Sequence, residues 1–126
     1  VHFTGAASAA DIRQQLARCW LFVAPSITAT SGDMEGLGMV FLEAQALQTP
    51  VVSFRSGGLV EAVEEEKTAL LSDEKDVSGL TENIARLMEN PDLRRNMGAA
   101  GRKRVEENFD VRKQCAKLEM IYAKLH

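Results

Sequence analysis

Gly38-Met-Val-Phe-Leu-Glu-Ala-Gln-Ala-Leu47 is followed two residues later by Pro50-Val-Val-Ser-Phe54. The first stretch is apolar nearly all round, which predicts a buried helix. The second is a proline-opened apolar run of strand length. A buried helix handing straight over to a buried strand is the repeating unit of an α/β sheet. Reading outward, Trp20-Leu-Phe-Val-Ala24 on one side and Ala69-Leu-Leu71 on the other are also continuous apolar runs. Such runs suit parallel strands covered on both faces. Strands alternating with helices give a parallel sheet, with ligands expected at the C-terminal edge of its strands.

The flanks extend this pattern. Val1 to Thr4 reads as a short buried strand closed by Gly5. Ser8 or Asp11 caps a helix through about Arg18, with Ile12, Leu16 and Cys19 on one side. Pro25 ends the Trp20–Ala24 strand, and Ser26 to Met34 form a small-residue loop. Gly57-Gly58 turns into a short helix through Val63. Ser78 to Glu89 is amphipathic, with Leu80, Ile84, Leu87 and Met88 inward. Pro91 opens another helix through about Glu107. Val111, Cys115, Leu118, Tyr122 and Leu125 then recur at helical spacing.

The 126 residues make one domain. The net charge of −3 has acids and bases interspersed, without the basic excess of a nucleic-acid binder. Cys19 and Cys115 are far apart and read as reduced packing residues. No apolar run is long enough to span a bilayer, and the expectation is a cytoplasmic protein. The chain opens on strand-like residues without an initiator Met and reads as a fragment.

Chemistry concentrates in Glu35-Gly-Leu-Gly-Met-Val-Phe-Leu-Glu43. With the helix starting between the two acids, they stand about 12 Å apart along its axis and about 80° apart around it. That is too far to share a proton or a metal, but right for opposite ends of one extended ligand. Between them, the N–H groups of Leu37 to Val40 are the first-turn donors with no helical acceptor. Donors and dipole together form an anion site. Gly36 and Gly38 leave the backbone open to close approach. Acids beside an anion site repel a bare phosphate, so the ligand should also carry hydroxyls. A nucleotide-sugar meets both demands.

Plainer readings exist for each residue. Glu35 is also a favourable charge near a helix start. Glu43 alternatively pairs with Arg55 or lines a solvent gap, since a buried carboxylate without partners is costly. Gly57-Gly58 serves as turn punctuation. His2 and His126 are terminal, and Ser26, Ser31 and Ser53 have no nearby histidine, so a hydrolase triad has no support.

The ordered series Pro25-Ser26, Glu35-Gly-Leu-Gly-Met-Val-Phe-Leu-Glu43-Ala-Gln-Ala, Thr49-Pro-Val-Val52 and Gly57-Gly-Leu-Val-Glu61 resembles the retaining GT-B glycosyltransferases with an E-x7-E motif. The resemblance covers almost the whole chain, through Leu93-Arg-Arg-Asn-Met97 and Phe109. It implies a Rossmann-like three-layer domain with a parallel sheet and a helical C-terminus. This would be the C-terminal, donor-binding half of a GT-B fold. It implies that Glu35 contacts the donor sugar as the catalytic-site acid and that Glu43 contacts the ribose. The backbone at Gly36, Leu37 and Gly38 would approach the sugar, and that at Met39 and Val40 the diphosphate. Gly5 to Ser8, through main-chain groups such as those of Gly5 and Ala7, would seat the base.

The implied donor is a UDP- or GDP-linked sugar, transferred with retention and without a metal or cofactor. The acceptor would be held by an N-terminal domain outside residues 1–126, with peripheral membrane association a further expectation for the full-length protein. Residues 1–126 alone are then expected not to catalyse transfer. The terminal helix would fold onto its own domain, self-associate or fray. The rivals are a nucleotide-binding module without transfer chemistry and a related GT-B enzyme such as an epimerase or a phosphorylase-like protein. Against the resemblance, Gln48 stands where a glycine is usual, as do Glu66 and Ala69; these departures are expected to cost stability.

Overall fold

The computed structural model describes residues 1–32, 36 and 38–125. Three parallel strands, β1 (Phe22–Ala24), β2 (Val51–Phe54) and β3 (Ala69–Ser72), form one sheet in the order β1-β2-β3. Phe22 is in register with Val51, and Val51 in turn with Ala69. The helices are α1 (Ala9–Arg18), α2 (Met39–Ala46), α3 (Leu59–Ala62), α4 (Val77–Glu89), α5 (Pro91–Asn108) and α6 (Val111–Leu125).

Strand alternation sorts the core into two layers, because successive side chains point to opposite faces. Phe22, Ala24, Val51, Ala69 and Leu71 pack with Phe41, Leu42 and Ala44 of α2. Val23, Val52 and Leu70 pack with Leu80, Ile84 and Leu87 of α4. Helix α5 serves both layers, through Met97 on the α4 side and Val105 on the α2 side. This is the expected α/β three-layer arrangement.

Several expectations are corrected at the edges. Val1 to Thr4 is an exposed coil rather than a buried strand. A short segment holds strand geometry only with a ladder partner, and these residues pair with none of the three strands. The Trp20 run shortens to Phe22–Ala24 and is half-buried, because β1 is an edge strand bonded on the β2 side alone. Trp20 is exposed, with the Arg94 guanidinium 4.4 Å above its ring. Of the α1 stripe only Leu16 is buried; Ile12 and Cys19 are exposed. Met88 also faces outward. Both cysteines are free, but exposed, so neither is a packing residue.

Caps account for the helix ends. Ser8 and Asp11 form a reciprocal capping box on α1. Asn90 caps α5 ahead of Pro91. Arg94 donates to the last carbonyls of α4, at Leu87 and Met88. Asp110 accepts from the N–H groups of Arg112 and Lys113 at the start of α6. Helix α6 buries none of its residues, and Leu118, Ile121, Tyr122 and Leu125 stay exposed.

The α2 terminus explains one departure from the glycine pattern. The Thr49 N–H donates to Ala44 O and the Gln48 N–H to Gln45 O, which is the Schellman arrangement. It places Gln48 in the left-handed region, at φ 60°. A side chain there is strained where glycine would not be. Gln48→Gly is therefore expected to raise stability by about 0.5–1 kcal/mol, after the added backbone entropy of glycine is subtracted. Chemical denaturation measures it. Glu66 is left-handed too, at φ 64°, but pairs with Arg86, so glycine there also removes an ion pair. Ala69, by contrast, sits in β3 without a left-handed backbone.

Candidate functional site

Helix α2 connects the parallel strands β1 and β2, so its N-terminus lies at the C-terminal edge of the sheet. That edge also carries the loops that follow β2 and β3. The chain enters α2 through Gly38, which is buried and left-handed at φ 70°, ψ 78°. Among the described residues no side chain caps this end. The Phe41 N–H closes a tight first turn onto Gly38 O at 3.0 Å. The N–H groups of Met39 and Val40, one step earlier, have no intrahelical acceptor. A helix start whose first N–H groups have no intrahelical acceptor is suited to an anion.

Helix α2 is not apolar all round in its setting. Phe41, Leu42, Ala44 and Gln45 are buried, while Met39 and Glu43 are exposed. Residues four apart share a helix face, so Glu43 stands one turn beyond the open end, about 6 Å along the axis. The exposed stripe of α2 therefore carries first-turn donors at one end and a carboxylate at the other. Of the two plainer readings of Glu43, the pair with Arg55 is not formed, since Arg55 pairs with Glu65 and Asp73, while the solvent-facing one agrees with its exposure. Among the described residues Glu43 has no ion pair.

Gln45 holds the rest of the helix in place. It is buried, and its Nε2 donates to Phe41 O at 3.1 Å and to Ala62 O at 3.0 Å. A buried polar side chain bonded to two backbones fixes α2 against α3.

The remaining expected residues fall as follows. Glu35 and Leu37 lie outside the described residues. Gly36 is exposed. Gly5 is exposed and left-handed at φ 65°. Ala7 lines a cavity of about 510 Å³ with Thr4, Ala6, Ile12, Leu16 and Phe22. The structure thus brings Gly38, Met39, Val40 and Glu43 together on α2, and puts Gly5 and Ala7 on a separate segment ahead of α1.

Sequence reasoning missed Glu74. In the turn after β3, its carboxylate accepts from the Thr28 N–H and hydroxyl. The Ser56 and Thr28 hydroxyls beside it hold Glu74 below the usual carboxylate range. The two sides are 46 residues apart, so no local pattern could have found the pair.

The chain matches the family described as "Glycosyl transferases group 1" over residues 1–104. It is 42% identical over 110 residues to a GDP-mannose-dependent monoacylated alpha-(1-6)-phosphatidylinositol monomannoside mannosyltransferase of Corynebacterium glutamicum. That match covers 86% of this chain and 29% of the relative. Among solved structures, sucrose-phosphate synthase of Thermosynechococcus elongatus matches with TM-score 0.63 and 34% identity, over 70% of this chain and 22% of that one. HepE of Anabaena, in complex with UDP, has the same fold with TM-score 0.76 at 24% identity, over 91% of this chain and 30% of that one. The chain spans less than a third of the length of these curated and solved relatives. With a matching family description across most of its length and a GT-B-like α/β fold, this chain belongs to the glycosyl transferases group 1 family.

Proposed function

We propose that residues 1–126 are the nucleotide-sugar donor-binding part of a glycosyltransferase. The diphosphate would lie at the N–H groups of Met39 and Val40, and the backbone at Gly36, Leu37 and Gly38 would approach the sugar. Glu43 would accept from the ribose hydroxyls. Glu35 would orient the donor sugar as the catalytic-site acid. The segment around Gly5 and Ala7 would seat the base. In this reading transfer proceeds with retention and without a metal, the leaving diphosphate being stabilised by fixed backbone donors. The acceptor would be bound by a further domain.

The observation that carries the reading is the α2 start, whose first N–H groups have no intrahelical acceptor, with an exposed Glu43 one turn on that has no ion pair among the described residues. The chemistry it suits is a hydroxyl-bearing phosphate ligand.

Several relatives are named as GDP-mannose-dependent mannosyltransferases, which favours a GDP-linked donor; UDP remains the alternative. Those relatives are also named for phosphatidylinositol mannoside acceptors. A peripheral membrane acceptor, reached from the cytoplasmic side, is the matching proposal here. Among the described residues no helix is long and apolar enough to cross a membrane.

Titration with GDP and UDP tests the assignment. Glu43→Ala is expected to weaken binding about tenfold, the loss of one charge-assisted hydrogen-bond pair. Its unfolding midpoint should not move, because the side chain is exposed. Unchanged affinity would remove Glu43 from the ribose.

A further inference from the structure

Loops leave the C-terminal ends of all three strands, and one carboxylate joins those after β1 and β3. Glu74, after β3, accepts from the Thr28 N–H at 3.0 Å and from the Thr28 hydroxyl at 2.7 Å. Thr28 belongs to the loop after β1. Ser56, in the loop after β2, is buried, and its Oγ has no hydrogen-bond partner among the described residues. The base of the β1 loop is fixed separately. Ala24 O accepts from the Ser53 hydroxyl at 2.5 Å and from the Ser26 N–H at 2.8 Å. Beyond Thr28 the chain turns back, with the Gly32 N–H donating to Ala29 O at 2.9 Å.

Resting on the donor-binding reading above, we propose that Glu74 is a positioning residue. Its carboxylate clasps Thr28 against the turn after β3, and so holds residues 25–32, the first part of the β1–α2 loop, as a preformed wall of the donor site. Two donors of one residue converge on one charged oxygen, which is a strong and directional arrangement. Loops at a sheet edge otherwise order only when ligand binds, and that ordering subtracts from affinity. Glu74 removes the cost in advance. It acts on the donor through Thr28 rather than by contact.

The test uses the full-length enzyme containing these residues. Donor kinetics and amide exchange at Thr28 are measured together. Glu74→Ala is expected to raise the donor KM about tenfold and change kcat less than about threefold, because uniform binding is lost rather than transition-state contact. Thr28 amide protection should disappear in the same variant. Glu74→Gln keeps an acceptor oxygen for both donors, and should recover the KM to within about threefold of wild type. Thr28→Val keeps the N–H bond and should give an intermediate KM.

A donor KM that stays within twofold in Glu74→Ala while Thr28 protection is lost would overturn the positioning role. So would unchanged Thr28 protection, or a Gln variant no better than Ala. Wild-type enzyme with no nucleotide-sugar turnover would remove the donor-binding reading itself, and the role of the clasp with it. Wild-type turnover with an unmoved KM removes the clasp alone.

Discussion

Gly98→Ala is expected to lower stability by about 3 kcal/mol, measured by chemical denaturation. Helix propensity alone gives the opposite sign. Gly98 lies within α5, where alanine is favoured over glycine by about 1 kcal/mol. The tertiary contact reverses it. A Cβ at this position would stand 3.0 Å from the carbonyl carbon of Gln48 and closer still to its oxygen. Both are backbone atoms at the end of α2, held by the Schellman bonds to Ala44 and Gln45. They cannot rotate aside as a flexible side chain would. Helix α5 must therefore move off α2, giving up the contacts of Met97 and Val105 with the two core layers. Gly101→Ala meets only the Gln45 side chain, at 3.1 Å, and should cost less. A stabilised Gly98→Ala protein would mean that α5 does not pack on α2 as described.

Phe41→Ala is expected to cost about 3–4 kcal/mol and to weaken nucleotide binding as well. Phe41 is 1% exposed and meets the edge of Phe22 with ring centroids 5.9 Å apart. It stands in the first turn of α2, and its own N–H closes that turn onto Gly38. The large ring thus ties the first turn of α2 to Phe22, the first residue of β1. Without it the core has a cavity, and the donors of Met39 and Val40 lose their fixed direction. Phe41→Leu retains most of the volume and should recover most of both quantities. Comparison with Glu43→Ala separates the two effects. The exposed acid should move affinity without stability, and the buried ring should move both. Loss of stability in Phe41→Ala with nucleotide affinity intact would show that the α2 start is not the anion site.

Much of the fold was legible in the sequence. Val51–Phe54 and Ala69–Leu71 read as interior strands, and both prove to be fully buried, the second running on to Ser72. Pro91, Ser8 and Asp11 act where their chemistry assigns them, at helix starts. Gln48 and Glu66, singled out as replacing glycines, are two of the three non-glycine residues with left-handed backbone among those described. These features are local: periodicity, caps and turn geometry are written within a few residues.

The candidate site was legible in type but not in placement. The spacing of Glu43 from Gly38 puts it one turn beyond the helix start, but not on the exposed side. That depends on which face of α2 the sheet and α5 cover.

The sequence by itself determined the alternation of strands and helices and the helix caps, because each follows from neighbours along the chain. The tertiary structure alone decided three things. The Val1–Thr4 segment does not become a strand, since a strand needs a ladder partner. Glu43 stays exposed while the adjacent Leu42 and Ala44 are buried. Glu74 meets Thr28 because two parallel-strand loops end at the same sheet edge. Each is a contact between residues far apart in the chain, and local sequence patterns carry no direct signal of it.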